Sequence, residues 1–541
     1  MKINAHWHWP VLGGLLLLEY LVLDQVISRY HAWIYPRWSD QIQYLTEAYT
    51  GYEFLRAHGI FTGLWRALVN PSAQGTLLDF FALLVFSVTG PSRSAALSVN
   101  LFYFIAWQAA LFFAVIKTTR SRSLAFAAVG LLLAFRSLWS GEAGSVVDFR
   151  LDWGAGCAFG IALAFALCTE GFRSTRWSLA FGASVGLVLV TRFLTGAYFG
   201  LIFAGLLVWC LAGPGRRRRA GNLLLAGLTA GVLAAPFFWL NREWVYNYYL
   251  IGHLTGPESA IRSLHMGVIR SLEWVFENWT ARHVGASWAW LVLGATLGLG
   301  VPIGLKWWRR SAPAPDRPPE DATAGWGVLG AIFFLAPAIV LTLHSQKSEP
   351  VLSILLPGCV VLVLGLWRRP AGRPIPASLA WGVLMIGAFL AVRGLARPER
   401  DSGFDAGARK VNELADYIYH TQQAAKMTAP RIGVDQVTDM FDAQVMRVIC
   451  YERHRVWLAF EMTLPTGIME EKPEVLLERA AQSDFLFLTE QMPGDGHWPY
   501  DKVMRRLYPQ LKASCEPNFR PVSSFAIFDR RMVLYQRREI P

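Results

Sequence analysis

Long apolar segments alternate with short polar loops through the first 395 residues, and this alternation restricts the fold more than any other feature. Each segment approaches the length of about 20 apolar residues that a helix needs to cross a bilayer. Hydrophobic residues make up 54% of the 541-residue chain and charged residues only 17%, which disfavours a soluble multidomain protein. The predicted spans lie near residues 9–28, 97–116, 123–139, 153–169, 177–191, 197–212, 221–240, 286–305, 325–343, 351–367 and 377–394.

The loops between these spans differ in charge in a regular way. Clusters of Arg and Lys follow every second span, whereas the acidic clusters, at Asp40 and at residues 148–152, fall in the intervening loops. Because cytoplasmic loops carry the excess of Lys and Arg, the N-terminus is predicted in the cytoplasm and both acidic clusters on the outer face. The net charge of +12 then requires no nucleic acid, since anionic lipid headgroups are the natural counterions. The basic clusters lie at 117–122, 173–176, 216–219, 306–310 and 368–373.

Residues 76–89 decide the topology. A helix of that length would reach only about 21 Å, short of the ~30 Å hydrocarbon core, and it contains Asp79. If it were a span and the N-terminus lay inside, the basic loops that follow would face outward. If the N-terminus lay outside, Asp40 and residues 148–152 would be on opposite sides of the membrane. We therefore predict a juxtamembrane helix in the interface, about eleven spans and a C-terminal tail outside the cytoplasm.

From about residue 397 the composition changes and predicts a small α/β domain. Helical periodicity marks residues 406–426, strand signals mark 431–435 and 484–488, and residues 524–535 resemble a hairpin. The predicted architecture is a polytopic α-helical membrane domain over 1–395 followed by an extracytoplasmic α/β domain over 396–541. Cys450 and Cys515 lie in this tail and could pair if it is extracytoplasmic, although their spacing leaves this open.

The first outer loop contains a candidate general base. Ser39 or Asp40 can cap a helix that begins here, and Asp40, Tyr44 and Glu47 would share one face of it. A carboxylate just beyond the first span could accept a proton from an acceptor hydroxyl, with Tyr44 and Glu47 as candidates for acceptor binding. The structural alternative is a helix cap at the membrane surface.

The second outer loop carries Glu142, Asp148, Arg150 and Asp152 within a dozen residues. Asp148 and Asp152 would stand one helical turn apart, and Arg150 could pair with either. A self-satisfied ion-pair cluster is the alternative interpretation, but ionisable groups at the mouth of apolar spans favour a functional site. Glu142 is a candidate for substrate binding.

Three basic residues, Arg136, Arg192 and Lys347, fall outside the positive-inside pattern. Arg192 lies at a break between two spans and Lys347 lies in a loop before a late span, both on the predicted outer face. Such cations can serve a lipid phosphate, although Lys347 could instead pair with Glu349. The long outer loop over 241–285 adds His253 and His265 as candidates for substrate binding. The histidine spacing there matches no zinc-ligand pattern, so no metal site is predicted.

This order of residues resembles the GT-C glycosyltransferases, specifically the bacterial protein mannosyltransferase-like and aminoarabinose transferase-like enzymes. The resemblance covers roughly residues 1–395. It depends on Asp40 in the first loop, a Pro-led juxtamembrane helix from Pro71 to Gly90, and Arg150-x-Asp152, Arg192 and Lys347 in that order. The chain departs from the family where Gln41 follows Asp40 in place of Glu, and where Asn70-Pro71-Ser72 replaces His-Pro-Pro.

The resemblance implies transfer of a sugar from a polyprenyl-phosphate-linked donor to an envelope glycan, lipid or protein acceptor. Asp40 would act as the base with inversion, while Arg150, Arg192 and Lys347 would hold the donor phosphate. Asp148 and Asp152 would position Arg150 or bind sugar hydroxyls. No cofactor is required, and the departure at Gln41 leaves a divalent cation open. The implied location is the bacterial inner membrane, with the C-terminal domain in the periplasm.

Two other functions compete with this one. A flippase or transporter for lipid-linked sugars predicts charges near the bilayer midplane and internal repeats, whereas here the charges cluster at one face and no repeat is evident. A non-catalytic envelope assembly protein predicts that Asp40 is dispensable. The enzyme hypothesis requires that Asp40 and residues 148–152 serve one cavity.

Overall fold

The computed structural model describes residues 7–35, 39–140, 143–255, 263–308, 321–368, 375–398, 402–424, 430–435, 441–462, 473–490, 499–528 and 530–538. The chain forms two compact units. One, the membrane unit, comprises residues 1–31, 51–90 and 94–399, and the other, the C-terminal unit, comprises 32–50, 91–93 and 400–541. The predicted boundary near residue 395 stays a prediction, but two short early segments clearly belong with the C-terminal residues.

Eight helices of the described residues are long and apolar enough to cross a membrane. Three further predicted spans coincide with shorter apolar helices, at Arg122–Leu133, Thr175–Thr191 and Ala286–Leu299. All eleven predicted spans therefore coincide with helices, although the span predicted over 123–139 is interrupted between Leu133 and Arg136. The chain is a multi-pass helical membrane protein. The eight are His8–Tyr30, Arg93–Thr119, Leu151–Cys168, Thr195–Ala212, Arg216–Leu240, Gly325–Leu343, Pro350–Trp367 and Ala377–Ala396.

The helices are numbered here in chain order. Those before residue 256 are α1 (His8–Tyr30), α2 (Ser39–His58), α3 (Ile60–Val69), α4 (Leu77–Thr89), α5 (Arg93–Thr119), α6 (Arg122–Leu133), α7 (Arg136–Trp139), α8 (Leu151–Cys168), α9 (Thr175–Thr191), α10 (Thr195–Ala212), α11 (Arg216–Leu240) and α12 (Arg242–Val245). Those after it are α13 (Val268–Asn278), α14 (Ala286–Trp308), α15 (Asp321–Leu343), α16 (Leu356–Trp367) and α17 (Ala377–Ala396). Two π-helical segments, Tyr246–Thr255 and Trp279–Val284, and a 3₁₀ helix, Pro350–Leu355, join them.

The short helix predicted over residues 76–89 exists as α4, which at 13 residues is about 20 Å long, and its juxtamembrane position stays a prediction. It begins at Leu77, one residue from the start predicted from hydropathy, whereas the start at Pro71 that the resemblance implied is wrong. The physical reason is that residues 74–76 pair with the end of α9 instead. Thr76 N donates to Val190 O, and Phe193 N donates to Gln74 O. Gly75 has a φ of +156°, and a Cβ there would overlap the carbonyl group of Thr191.

Close helix crossings in the membrane unit depend on small residues. A Cβ added to Gly130 of α6 would lie 2.6 Å from Leu384 Cα of α17, and one added to Gly387 would overlap the carbonyl oxygen of Gly130. A Cβ added to Gly358 of α16 would likewise lie 2.7 Å from Phe334 N of α15. Because lipid tails are as apolar as the helix faces, such close packing is a main source of helix association in membranes.

The C-terminal unit contains a five-stranded sheet in the order β2-β1-β3-β5-β4. β1 is parallel to β2 and β3, whereas β5 is antiparallel to β3 and β4. The predicted helix, the two predicted strands and the terminal hairpin are all present. The elements are α18 (Ser402–Ala424), β1 (Arg431–Val434), α19 (Ala443–His454), β2 (Ala459–Met462), α20 (Pro473–Gln482), β3 (Phe485–Thr489), α21 (Pro499–Asn518), β4 (Phe519–Ile527) and β5 (Arg530–Arg537).

The two tail cysteines do not pair. Cys450 on α19 and Cys515 on α21 are both free and buried. Cys515 packs in the core with Leu486, Leu488 and Tyr508, where it acts as a small apolar residue. The disulfide that the sequence left open is therefore not formed.

Candidate active site

The loop over residues 143–150 in the membrane unit is buried and closely held. Asn100 Nδ2 of α5 donates to Val146 O at 2.9 Å and to Asp148 O at 2.8 Å. Gly144 has a φ of +78°, and a Cβ there would lie 2.6 Å from Pro350 Cα. Glycine is required at such a position because other residues rarely adopt this φ and would also clash. These contacts fix the backbone that presents Asp148 and Arg150.

Asp148 and Arg150 form one ion pair of this loop. Arg150 Nε lies 3.2 Å from Asp148 Oδ1, and the two side chains are 7% and 3% exposed. Gly144 N also donates to Asp148 Oδ2 at 2.6 Å. Asp148 does not stand one helical turn from Asp152, as the sequence suggested, because α8 begins only at Leu151. Burial at this level requires that each charge be paired.

Asp152 forms a second ion pair with a residue from another helix junction. Asp152 Oδ1 lies 2.8 Å from Arg192 Nη1, with side chains 5% and 14% exposed. Asp152 occupies the first turn of α8, where the helix dipole favours an anion, and Arg192 occupies the break between α9 and α10. Two of the predicted site residues, distant in sequence, are thus in direct contact.

Tyr249, which the sequence did not single out, lies close enough to the Asp152–Arg192 pair to be affected by both charges. Burial raises the pKa of Tyr249, the charge of Arg192 opposes the rise, and that of Asp152 adds to it. Its hydroxyl therefore lies within electrostatic range of the Asp152–Arg192 pair. It occupies the π-helical segment 246–255, and no sequence signal marks it among the other aromatic residues of that loop.

The segment over residues 344–349 contains Lys347, the third candidate for binding the donor phosphate. Lys347 Nζ donates to Leu341 O, Thr342 O and His344 O at 2.8, 3.0 and 2.7 Å. It therefore binds carbonyl groups at the C-terminal end of α15, where the helix dipole favours a cation. Burial lowers the pKa of Lys347. The phosphate-binding role of Lys347 stays a prediction. It requires that N–H groups of the ammonium, which now donate to these carbonyl oxygens, also donate to a phosphate.

His253 and His265 both precede this segment in the chain, and their surroundings contact it. Gln346 Nε2 donates to His253 O at 2.9 Å, and Leu264 N, next to His265, donates to Ser345 O at 3.2 Å. The His253 ring packs on Tyr248 with centroids 4.3 Å apart. Their role in substrate binding stays a prediction. Glu142 lies outside the described residues.

Glu349 does not pair with Lys347, which the sequence allowed. Its carboxylate lies 3.0 Å from Arg282 Nη2, and its carbonyl oxygen is 3.0 Å from His283 Nε2. Because a carbonyl only accepts, His283 must carry its proton on Nε2. Burial lowers the pKa of His283 to about 4, so this ring is neutral near neutral pH.

Asp40 belongs to the C-terminal unit. It lies exposed in the first turn of α2, which begins where the sequence predicted. Tyr44 is half-buried one turn later, and Glu47 accepts a hydrogen bond from Gln43 Nε2 at 2.8 Å. The shared helix face of Asp40, Tyr44 and Glu47 is thereby present, and their roles stay predictions, as does the single cavity with residues 148–152. Within the described ranges no three His, Cys, Asp or Glu side chains are grouped as a metal would require.

Two crystal structures of ArnT from Cupriavidus metallidurans share the fold of this chain. The apo structure matches with a TM-score of 0.58, 16% identity and 97% coverage of each chain. The structure bound to undecaprenyl phosphate matches with a TM-score of 0.54, again at 16% identity and 97% coverage of each chain. No protein-family model matches the chain, and no curated protein matches its sequence. The predicted likeness to GT-C enzymes of the aminoarabinose transferase type is confirmed at the level of the fold.

Proposed function

We propose that this protein is a membrane glycosyltransferase that moves a sugar from a polyprenyl-phosphate-linked donor to an acceptor hydroxyl. The observation that carries the proposal is a fold shared over 97% of the chain with ArnT, including a structure bound to undecaprenyl phosphate. The buried Asp148–Arg150 and Asp152–Arg192 pairs at the ends of apolar spans support it, since ionisable groups in such places are commonly functional.

The proposed reaction is a single displacement at the anomeric carbon. The acceptor oxygen forms a bond to that carbon, the bond from the carbon to the phosphate oxygen breaks, and the acceptor proton passes to the Asp40 carboxylate. Attack opposite the leaving group inverts the anomeric configuration. The departing polyprenyl phosphate keeps the electron pair and gains negative charge.

Arg150, Arg192 and Lys347 would stabilise that charge. Cationic donors placed where charge develops lower the barrier more effectively than solvent does. A guanidinium group presents five donors in a planar fork, so one guanidinium can hold a carboxylate and a phosphate oxygen together. In this proposal Asp148 and Asp152 orient the two arginines, and Tyr249 lies beside Arg192 as a further neighbour of the phosphate.

The proposed location is the bacterial inner membrane, with the acidic loops and the C-terminal domain in the periplasm. The alternation of basic clusters with acidic loops supports this orientation. The acceptor is an envelope glycan, lipid or protein.

The test is transfer of labelled sugar by the purified protein in nanodiscs. Polyprenyl-phosphate sugars are supplied as donors, with envelope lipid, glycan and protein fractions as acceptors. We expect Asp40→Asn to abolish transfer while the protein still folds and inserts. The matched control is Glu474→Gln, which removes another exposed first-turn carboxylate, on α20. Normal turnover by Asp40→Asn would eliminate the mechanism.

The same preparation separates the competing functions. A flippase would move a fluorescent lipid-linked sugar across the bilayer without forming a glycosidic product. A non-catalytic assembly protein would support envelope integrity in cells that carry Asp40→Asn. Either result, with no transfer by the wild type, contradicts the proposed enzyme.

A further inference from the structure

Glu452 of α19 is a buried carboxylate that the proposed reaction does not use. It accepts hydrogen bonds from the hydroxyl groups of Tyr35 and Tyr49 and from the backbone N–H of Arg93. Burial raises the pKa of Glu452, and the two tyrosine hydrogen bonds oppose this. Its three partners come from two other segments of the C-terminal unit, at 32–50 and 91–93. Glu452 thus connects three parts of this unit that are far apart in sequence.

Arg93 extends the connection to the residue next to Asp40. Its Nε and Nη2 atoms both donate to Gln41 Oε1, at 3.3 and 3.1 Å, and its Nη1 atom donates to Ile34 O. The Arg93 and Gln41 side chains are only 4% and 2% exposed. A buried guanidinium with two bonds to one amide oxygen holds that amide, and therefore the first turn of α2, in one place.

Other contacts of α19 and its neighbours hold the same segments. The Tyr451 ring stacks on Tyr49 with centroids 5.3 Å apart, and Arg455 Nη1 donates to Pro91 O at 2.8 Å. From α18, Asn412 Nδ2 donates to Trp33 O at 3.0 Å. The residues before and after the Asp40 turn are thus attached directly to the C-terminal residues, and Gln41 within the turn is attached through Arg93.

The composition of this cluster argues for a role beyond packing. A buried carboxylate and a buried guanidinium are costly unless every bond is made, and well-packed apolar residues of similar volume are often neutral or stabilising in such places. A polar network in which every hydrogen bond is made contributes a single, well-defined arrangement of its members more than it contributes stability. The member closest to the proposed chemistry is Gln41, whose backbone is continuous with Asp40.

We infer that Glu452, Arg93 and Gln41 form a positioning network that fixes the turn of α2 carrying Asp40, so that the C-terminal domain sets the geometry of the proposed base. This inference rests on the proposed function. It assigns to the C-terminal domain a direct part in turnover, and it makes Glu452 a positioning residue that acts through Arg93 and Gln41.

The test compares Glu452→Gln with Glu413→Gln in full-length protein in nanodiscs. Glu413 is an exposed carboxylate of α18 in the same unit. The Glu452 variant keeps the side-chain shape but replaces one acceptor oxygen by an amide NH₂ group. We expect faster hydrogen exchange of backbone amides over 40–49 in Glu452→Gln and unchanged exchange in Glu413→Gln.

Kinetics provide the second measurement. A displacement of the base of about 1 Å lowers turnover roughly 100-fold, so kcat should fall by that order in Glu452→Gln while the KM for the donor stays unchanged. A merely structural role would instead reduce the folded fraction, or change kcat and KM together. Tyr49→Phe is the second variant, since it removes one donor to Glu452 and keeps the ring that stacks on Tyr451. The Tyr49→Phe and Glu452→Gln effects on kcat should be less than additive because both break the same bond.

The exchange measurement separates this inference from the proposed function. Unchanged exchange over 40–49 in both Glu452→Gln and Tyr49→Phe overturns the network, whatever the activity. Faster exchange with unchanged kcat overturns its role in positioning the base. A wild-type protein that transfers no sugar from any donor overturns the proposed function. The network would then have no role in catalysis, although hydrogen exchange would still show that it holds residues 40–49.

Discussion

The contact between Arg192 and Asp152 allows a structural ion pair to be separated from a phosphate-binding cation. In Arg192→Met the Asp152 carboxylate, 5% exposed, loses its cation. Asp152→Asn removes the opposite charge, and the double variant removes both. If Arg192 also holds the donor phosphate, stability and donor affinity should respond differently across these three proteins.

The expected magnitudes follow from the burial of the pair. Removing one partner of a buried pair leaves an uncompensated charge and costs about 3–5 kcal/mol, whereas replacing both partners is often nearly neutral. The double variant should therefore recover most of the stability lost in Arg192→Met. A hydrogen bond to a charged group contributes about 1.5–3 kcal/mol, which corresponds to roughly 10- to 100-fold in affinity for polyprenyl phosphate. That affinity should stay lost in the double variant.

The assay is thermal unfolding in detergent with and without polyprenyl phosphate, since a ligand that binds only the folded state raises Tm by mass action. The matched control is Arg270→Met, because Arg270 and Glu273 form an exposed pair at a similar distance, 2.9 Å, and exposed pairs contribute little. Wild-type affinity in the double variant would show that Arg192 is only structural. No loss of stability in Arg192→Met would refute the reasoning about the buried pair itself.

Two further predictions concern the same unit. Lys347→Met and Arg150→Met should each weaken binding of polyprenyl phosphate, measured by the same shift in Tm, and unchanged affinity in both would remove these residues from the phosphate site. His283, whose pKa burial lowers from 6.5 to about 4, should contribute stability that is complete above pH 6.5 and is lost as the pH falls toward 4, because the unfolded chain takes up the proton first. The full loss between pH 6.5 and pH 4 is on the order of 3 kcal/mol, at 1.36 kcal/mol for each unit of pKa difference. Tm measured from pH 7.5 to 4.5 should fall less steeply in His283→Gln, and equal slopes would contradict this account.

The sequence predicted most of the membrane unit because hydropathy is a local property summed over about 20 residues. All eleven predicted spans coincide with helices, and the short helix at Leu77–Thr89 follows from the same length argument. Alternating residues also predicted the hairpin of β4 and β5. Only the start at Pro71 that the resemblance implied was wrong, because residues 74–76 pair with the end of α9, which no local signal reveals.

The pairings of the site could be predicted only in part. The sequence offered Arg150 to either Asp148 or Asp152, and the partner of Asp152 turned out to be Arg192, at 2.8 Å. The Glu452 network was missed entirely, because Tyr49 and Glu452 are 403 residues apart and neither has a periodic or motif signal. Ion pairs and buried polar networks are decided by tertiary proximity, whereas membrane spans are decided by local composition.

The distribution of the candidate residues between the two units makes the proposed mechanism testable in separate parts. All three candidate phosphate ligands belong to the membrane unit, whereas Asp40 and its supporting residues belong to the C-terminal unit. Because donor affinity depends on the cations and turnover depends on the base, variants of Arg150, Arg192 and Lys347 should change donor binding first. Variants of Glu452 and Tyr49 should change kcat at constant donor KM. If both groups of variants instead changed the same kinetic constant, the assignment of donor binding and proton removal to different residues would have to be given up.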